Sequence, residues 1–74
     1  MDNIQILWVD DEIDLLKPHI LFLEAKGYAV DTINNGEEAL EMVAEKSYHM
    51  VFLDENMPGM DGLETLQRIK EMQN

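Results

Sequence analysis

Three groups of acidic residues stand at the ends of short apolar runs. Asp10, Asp11 and Glu12 follow Ile4-Gln5-Ile6-Leu7-Trp8-Val9, Asp54 follows Met50-Val51-Phe52-Leu53, and Asp61 lies within Met57-Pro58-Gly59-Met60-Asp61-Gly62. If the first two runs are neighbouring parallel strands, their carboxylates meet at one edge of a sheet, where open α/β folds bind ligands. Carboxylates crowded together repel, so one of them binds a proton more readily than a free aspartate and the group titrates as a unit. A divalent cation removes that conflict. Oxygen-only ligands favour Mg2+, with Mn2+ or Ca2+ as substitutes, over zinc, and Mg2+ uses one or two carboxylates together with waters and a phosphate oxygen. An ionised carboxylate is also a nucleophile toward phosphorus that needs no general base. Asp54 is the candidate for that role.

The elements that must hold these residues are legible as three βα units, because short apolar runs alternate with longer segments of helical period. Ile4 to Val9 is apolar almost throughout, which suits a central strand covered on both faces. The next segment carries Ile13, Leu16, Ile20 and Leu23 at helical spacing and ends near Lys26-Gly27, with Gly27 as C-terminal cap. Pro18 requires that this helix either start late, near Asp14, or bend. Tyr28 to Ile33 reads as strand 2. Asn35 then caps a helix running to about Lys46, with Glu38 at the reciprocal capping position. That helix buries Ala39, Leu40 and Val43 and turns Glu37, Glu41 and Glu45 to solvent. His49 to Leu53 is strand 3, and a helix from about Leu63 is expected to bury Leu63, Leu66 and Ile69. Right-handed crossovers with helices on both faces require the strand order to reverse, and the simplest solution is 2-1-3.

Composition narrows the functional classes. The chain has 74 residues, 16 acidic against 5 basic, for a net charge of −11. It is one small domain with no basic stripe for a phosphate backbone, so direct nucleic-acid binding is not expected. It contains no cysteine, which excludes disulfides and thiolate chemistry. The start lacks a basic signal-peptide region, and no apolar run approaches the roughly 20 residues of a spanning helix. A soluble, cytoplasmic protein away from the membrane is the expectation. His19 and His49 lack metal-ligand spacing and read as surface or packing groups. Met42, Met50, Met57, Met60 and Met72 read as packing. Trp8 reads as core, two residues from Asp10, and Glu12 reads as a first-turn residue favoured by the helix dipole.

Val9-Asp10-Asp11-Glu12, Leu53-Asp54-Glu55-Asn56-Met57-Pro58-Gly59-Met60-Asp61-Gly62 and Asn35-Gly36-Glu37-Glu38-Ala39-Leu40 together resemble the receiver domains of two-component response regulators. The resemblance covers essentially all of residues 1–74 and implies a flavodoxin-like, doubly wound parallel sheet. It further implies phosphorelay signalling without an enzymatic activity of the chain's own: Asp54 accepts a phosphoryl group from a sensor histidine kinase, and an output domain or downstream protein reads the result. Asp11 and Asp54 would hold Mg2+ directly, Asp10 through water, and Asn56 through its backbone carbonyl.

The departures from the family pattern carry expectations too. A full receiver has five βα units, with a Ser or Thr after strand 4 and a Lys after strand 5. The three units here constitute its N-terminal part, strands 4 and 5 and helices 4 and 5 being absent. Thr32, Thr65, Lys46 and Lys70 do not correspond to those two positions, which leads to an expectation of impaired switching. An uncovered strand 3 edge leads to an expectation of self-association. Two other readings are a self-associating fragment without phosphotransfer and an aspartate-nucleophile phosphatase. The latter is disfavoured because Asn56 stands where that family places a second Asp.

Overall fold

Burial of one strand on both faces organises the molecule. In the computed structural model, which describes residues 4–54 and 62–72, β1 (Gln5–Val9) buries Ile6, Leu7 and Val9 completely. A 3-10 turn (Ile13–Leu16) and helix α1 (Lys17–Ala25) lead to β2 (Ala29–Ile33). Helix α2 (Gly36–Glu45), β3 (Met50–Leu53) and α3 (Gly62–Met72) follow. The sheet is parallel with order β2-β1-β3, the simplest reversal expected from the crossover rules. Its two crossovers, β1 to β2 and then β2 back across β1 to β3, run in opposite directions, so right-handed connections put α1 and α2 on opposite faces.

Register separates the two faces. Leu7 pairs with Asp31 and Val51, and Val9 with Ile33 and Leu53. These partners share one face, where Leu7, Val9 and Ala39 form the core with Ile33, Met42, Val43, Tyr48, Val51 and Leu53 around them. The other face carries the alternate residues, including Trp8 opposite Phe52. Their rings meet edge to face, with centroids 5.3 Å apart and planes at 82°, an arrangement that contributes about 1 kcal/mol beyond area burial.

Local chemistry explains most element boundaries. Asn35 caps α2 through its side-chain oxygen, which accepts a 2.8 Å hydrogen bond from the Glu38 amide. At the end of α1, Gly27 has φ of 99°, its amide donates to the Glu24 carbonyl, and the Tyr28 amide reaches back to Leu23. That pair of bonds is a Schellman ending, and the left-handed φ is what calls for glycine. Of the two readings of Pro18, the late start is the observed one, and it falls later than Asp14. Residues Ile13–Leu16 form the tighter 3-10 turn, and α1 proper starts at Lys17, with Pro18 in its first turn where a missing amide costs no hydrogen bond. Ile13, Leu16, Ile20 and Leu23 are all half-buried as a stripe.

The expected inner face of α3 needs correction. Gly62, Thr65 and Ile69 are its buried residues, whereas Leu63 is 68% and Leu66 39% exposed. The helix packs against α2, whose own buried residues are Gly36 and Ala39. On α3 the small Gly62 and Thr65, together with Ile69, are turned inward, and the bulkier leucines remain exposed. The second helix also differs in detail: Ala39 is buried, Leu40 and Val43 are half-buried, and Met42 joins the core.

One polar cluster braces the β2 edge. Asp31 accepts hydrogen bonds from Lys46 Nζ at 2.9 Å and from the Tyr48 hydroxyl at 2.7 Å. Lys46 first, then Tyr48, holds the Asp31 carboxyl below its ordinary value, while burial and Asp31 together push the Tyr48 hydroxyl up. A depressed folded-state value means stability that is intact above the unfolded aspartate value, about pH 4, and lost as pH falls through the folded one. Asp31→Asn should therefore lower urea stability at pH 7 and flatten its fall between about pH 5 and pH 2. Tyr48→Phe should cost about 1 kcal/mol at neutral pH. Equal pH slopes for wild type and Asp31→Asn would refute the assignment.

Candidate functional site

The ladder that orders the sheet runs one residue past the strands. The Asp10 amide donates to the Ile33 carbonyl at 3.1 Å, and the Asp54 amide donates to the Val9 carbonyl at 2.9 Å. Asp10 and Asp54 therefore occupy the rung above Val9 and Leu53, at the carboxyl end of adjacent parallel strands. Asp11 comes next, as the chain leaves β1. One ligand oxygen from each of Asp10, Asp11 and Asp54 lies within 4.8 Å of the others. Asp10 and Asp54 are half-buried and Asp11 is exposed.

The turn after β1 is built by the same acidic residues. Oδ1 of Asp10 accepts a 2.9 Å hydrogen bond from the Glu12 amide, and the Asp10 carbonyl accepts from the Ile13 amide at 3.1 Å. This side-chain turn, of a kind Asp favours, leads straight into the 3-10 segment and leaves Asp11 at the rim. Glu12 stands at the start of that segment without a side-chain capping bond. It lies outside the three-carboxylate group and is not itself in the first turn, whose acidic member is Asp14.

Electrostatics match the crowding. Loss of solvent, then the nearby Asp54, then Asp10, raise the Asp11 carboxyl above its ordinary value. A raised carboxyl means that the folded chain holds its proton at a pH where the unfolded chain has released it, so ionising the cluster costs stability as pH rises. A divalent ion suits this donor set: hard oxygen ligands, excess negative charge, and room at one edge for water and a phosphoryl group. Asn56 and Asp61, together with Pro58 and Gly59, lie outside the described residues.

Other residues singled out in the sequence lie elsewhere. Lys46 is paired with Asp31, Thr32 is exposed on β2, and Thr65 is buried in α3. His19 is exposed on α1. His49 has a task that sequence reasoning did not detect: its Nδ1 accepts from the Gln5 amide at 2.9 Å while its own amide donates to the Gln5 carbonyl at 2.8 Å. That closes the sheet end opposite the aspartates. The Asp31–Lys46–Tyr48 cluster was equally unannounced, since 15 and 17 residues separate the partners.

A family model described as the response regulator receiver domain matches residues 6–74. The chain belongs to the response regulator receiver family. Among curated relatives, the transcriptional regulatory protein CpxR homolog of Haemophilus influenzae is 44% identical over 70 residues, covering 95% of this receiver chain and 30% of that protein. Among solved structures, response regulator TrrA of Thermotoga maritima, in complex with Mg2+-BeF, superposes with a TM-score of 0.83 at 41% identity. That match covers 92% of the receiver chain and 59% of TrrA. A complex of histidine kinase ThkA with TrrA matches with a TM-score of 0.82 at 42% identity, covering 90% of this chain and 58% of the matched one. The receiver chain thus spans about a third of that curated relative and about three fifths of the solved chains. The flavodoxin-like, doubly wound fold expected from the motifs is the observed one. No helix among the described residues is long and apolar enough to cross a membrane.

Relief of carboxylate repulsion is directly measurable. In metal-free buffer at neutral pH, Asp11→Asn should raise the urea midpoint over wild type, and the gain should shrink as pH falls and the wild-type carboxyl is protonated. Chelator-treated protein in which the substitution lowers the midpoint would contradict the repulsion.

Proposed function

We propose that this receiver acts in a cytoplasmic phosphorelay, Asp54 accepting a phosphoryl group from a phosphohistidine of a sensor histidine kinase. An output domain or downstream protein would then read the modified state. The observation that carries the reading is the convergence of Asp10, Asp11 and Asp54 within 4.8 Å at the ends of two adjacent parallel strands. The Mg2+-BeF complex of TrrA and its complex with ThkA support the extension to Mg2+ and to a kinase partner.

In this reading Asp11 and Asp54 would hold Mg2+ directly, Asp10 would act through a bound water, and Asn56 would contribute its backbone carbonyl. When bound, the ion neutralises charge on the transferring phosphoryl oxygens. Asp54 attacks phosphorus with a carboxylate oxygen as the bond from phosphorus to the donor nitrogen breaks, and the electron pair returns to the imidazole. No proton need leave Asp54, because the nucleophile is already ionised. The Asp10 side-chain bond to the Glu12 amide fixes one acidic arm while Asp11 stays accessible at the rim. The chain is a phosphoryl acceptor, not an enzyme acting on a separate substrate.

Incubation with acetyl phosphate followed by intact-mass measurement tests the reading. A phosphoryl adduct should form with Mg2+, be lost with chelator, and be absent from Asp54→Asn. A folded wild-type sample without adduct under either condition would overturn it. Chain association belongs to the same proposal: β3 is an edge strand among the described residues, and Met50 is 40% exposed on it. Sedimentation at micromolar concentration should show species above the monomer, diminished by Met50→Lys. A single monomeric species in wild type would remove association from the proposal.

A further inference from the structure

We infer that the Trp8–Phe52 ring pair is a positioning element for the carboxylate site and tunes its preference for Mg2+ over larger cations, an inference that rests on the metal-site reading above. Trp8 and Phe52 are register partners on β1 and β3, and each lies two residues before a site aspartate. Since side chains alternate along a strand, residues two apart share a face. The ladder bonds of the Asp10 and Asp54 amides carry that alternation to the next rung. The edge-to-face pair, with centroids 5.3 Å apart, therefore forms the apolar support under the two aspartates.

That support acts where the backbone's hold is weakest. From Ile6 to Val9 every rung of β1 is paired on both sides, whereas past Asp10 the chain leaves the ladder for the turn at Glu12. Backbone pairing fixes the mean strand separation, but the carboxylate oxygens also depend on side-chain torsions, and bulky rings immediately below restrict them. Both rings are only half-buried, so they can be altered without emptying the core of Leu7, Val9 and Ala39 on the opposite face.

Cation size makes the role separable from ordinary packing. Mg2+ demands near-ideal octahedral geometry at short distance, whereas Ca2+ accepts looser and more variable coordination. Loosening the support should therefore weaken Mg2+ more than Ca2+. A purely structural loss would weaken both alike.

The test is titration calorimetry of the chain with MgCl2 and with CaCl2, with urea unfolding of each variant measured alongside. Phe52→Leu should raise the Mg2+ dissociation constant on the order of tenfold and that of Ca2+ by clearly less, and Phe52→Tyr should restore the wild-type ratio. If Phe52→Leu does not fold, Phe52→Met, which keeps apolar volume, serves as the loss variant. An unchanged Mg2+/Ca2+ ratio in a folded loss variant, or a shifted ratio that Phe52→Tyr does not restore, overturns the inference while leaving the metal site standing. Wild-type protein that binds neither ion overturns the site itself.

Discussion

Everything at the functional edge depends on like charges being held together by backbone pairing. The amides of Asp10 and Asp54 are committed to the carbonyls of Ile33 and Val9, so the two aspartates cannot move apart without giving up sheet hydrogen bonds. Strand register, set by the burial of Ile6, Leu7 and Val9, thereby becomes electrostatics. A slip of one residue would send those apolar side chains to the wrong faces and disperse the carboxylates. Loss of solvent first, and then the neighbouring Asp54 and Asp10, raise the Asp11 carboxyl in this confined group.

The two faces of the sheet divide the labour. One is an aliphatic core of Leu7, Val9 and Ala39, with α2 packed over it and α3 packed against α2. The other carries the aromatic pair beneath the site. Because all strands are parallel, the two ends of the sheet are also chemically distinct. The end beyond the carboxyl termini gathers acids, while the opposite end is closed by His49 on Gln5, with the Lys46 and Tyr48 bonds to Asp31 bracing the β2 edge.

Much of this was readable in the sequence, and particular residues show why. Gly27, Asn35 and the aspartates after apolar runs speak through local rules: a left-handed φ, a cap, a strand end. Strand order followed from crossover handedness once helices were placed on both faces and the simplest reversal was taken. Helix faces were less secure, since Leu63 and Leu66 offered an apolar stripe that hydrophobicity favours, yet α3 packs against α2 and buries Gly62, Thr65 and Ile69. Pro18 was legible as a disturbance but not as a first-turn residue after a 3-10 segment. Asp31 with Lys46 and Tyr48, and His49 with Gln5, were silent because their partners meet only through tertiary structure. Gln5 and His49 are 44 residues apart.

The hydrogen bond from the Asp54 amide to Val9 joins β3 to β1 at the acidic rung. Fraying begins where a ladder stops, and here the frayed arrangement also lets negative charges separate. Repulsion among the carboxylates thus works as an internal wedge on the terminal rung. A cation that draws the same oxygens together acts as a clasp. In the proposed reading, occupancy of the site and closure of the rung at Asp10 and Asp54 would be one equilibrium, and charge neutralisation would be felt in how long that rung stays closed.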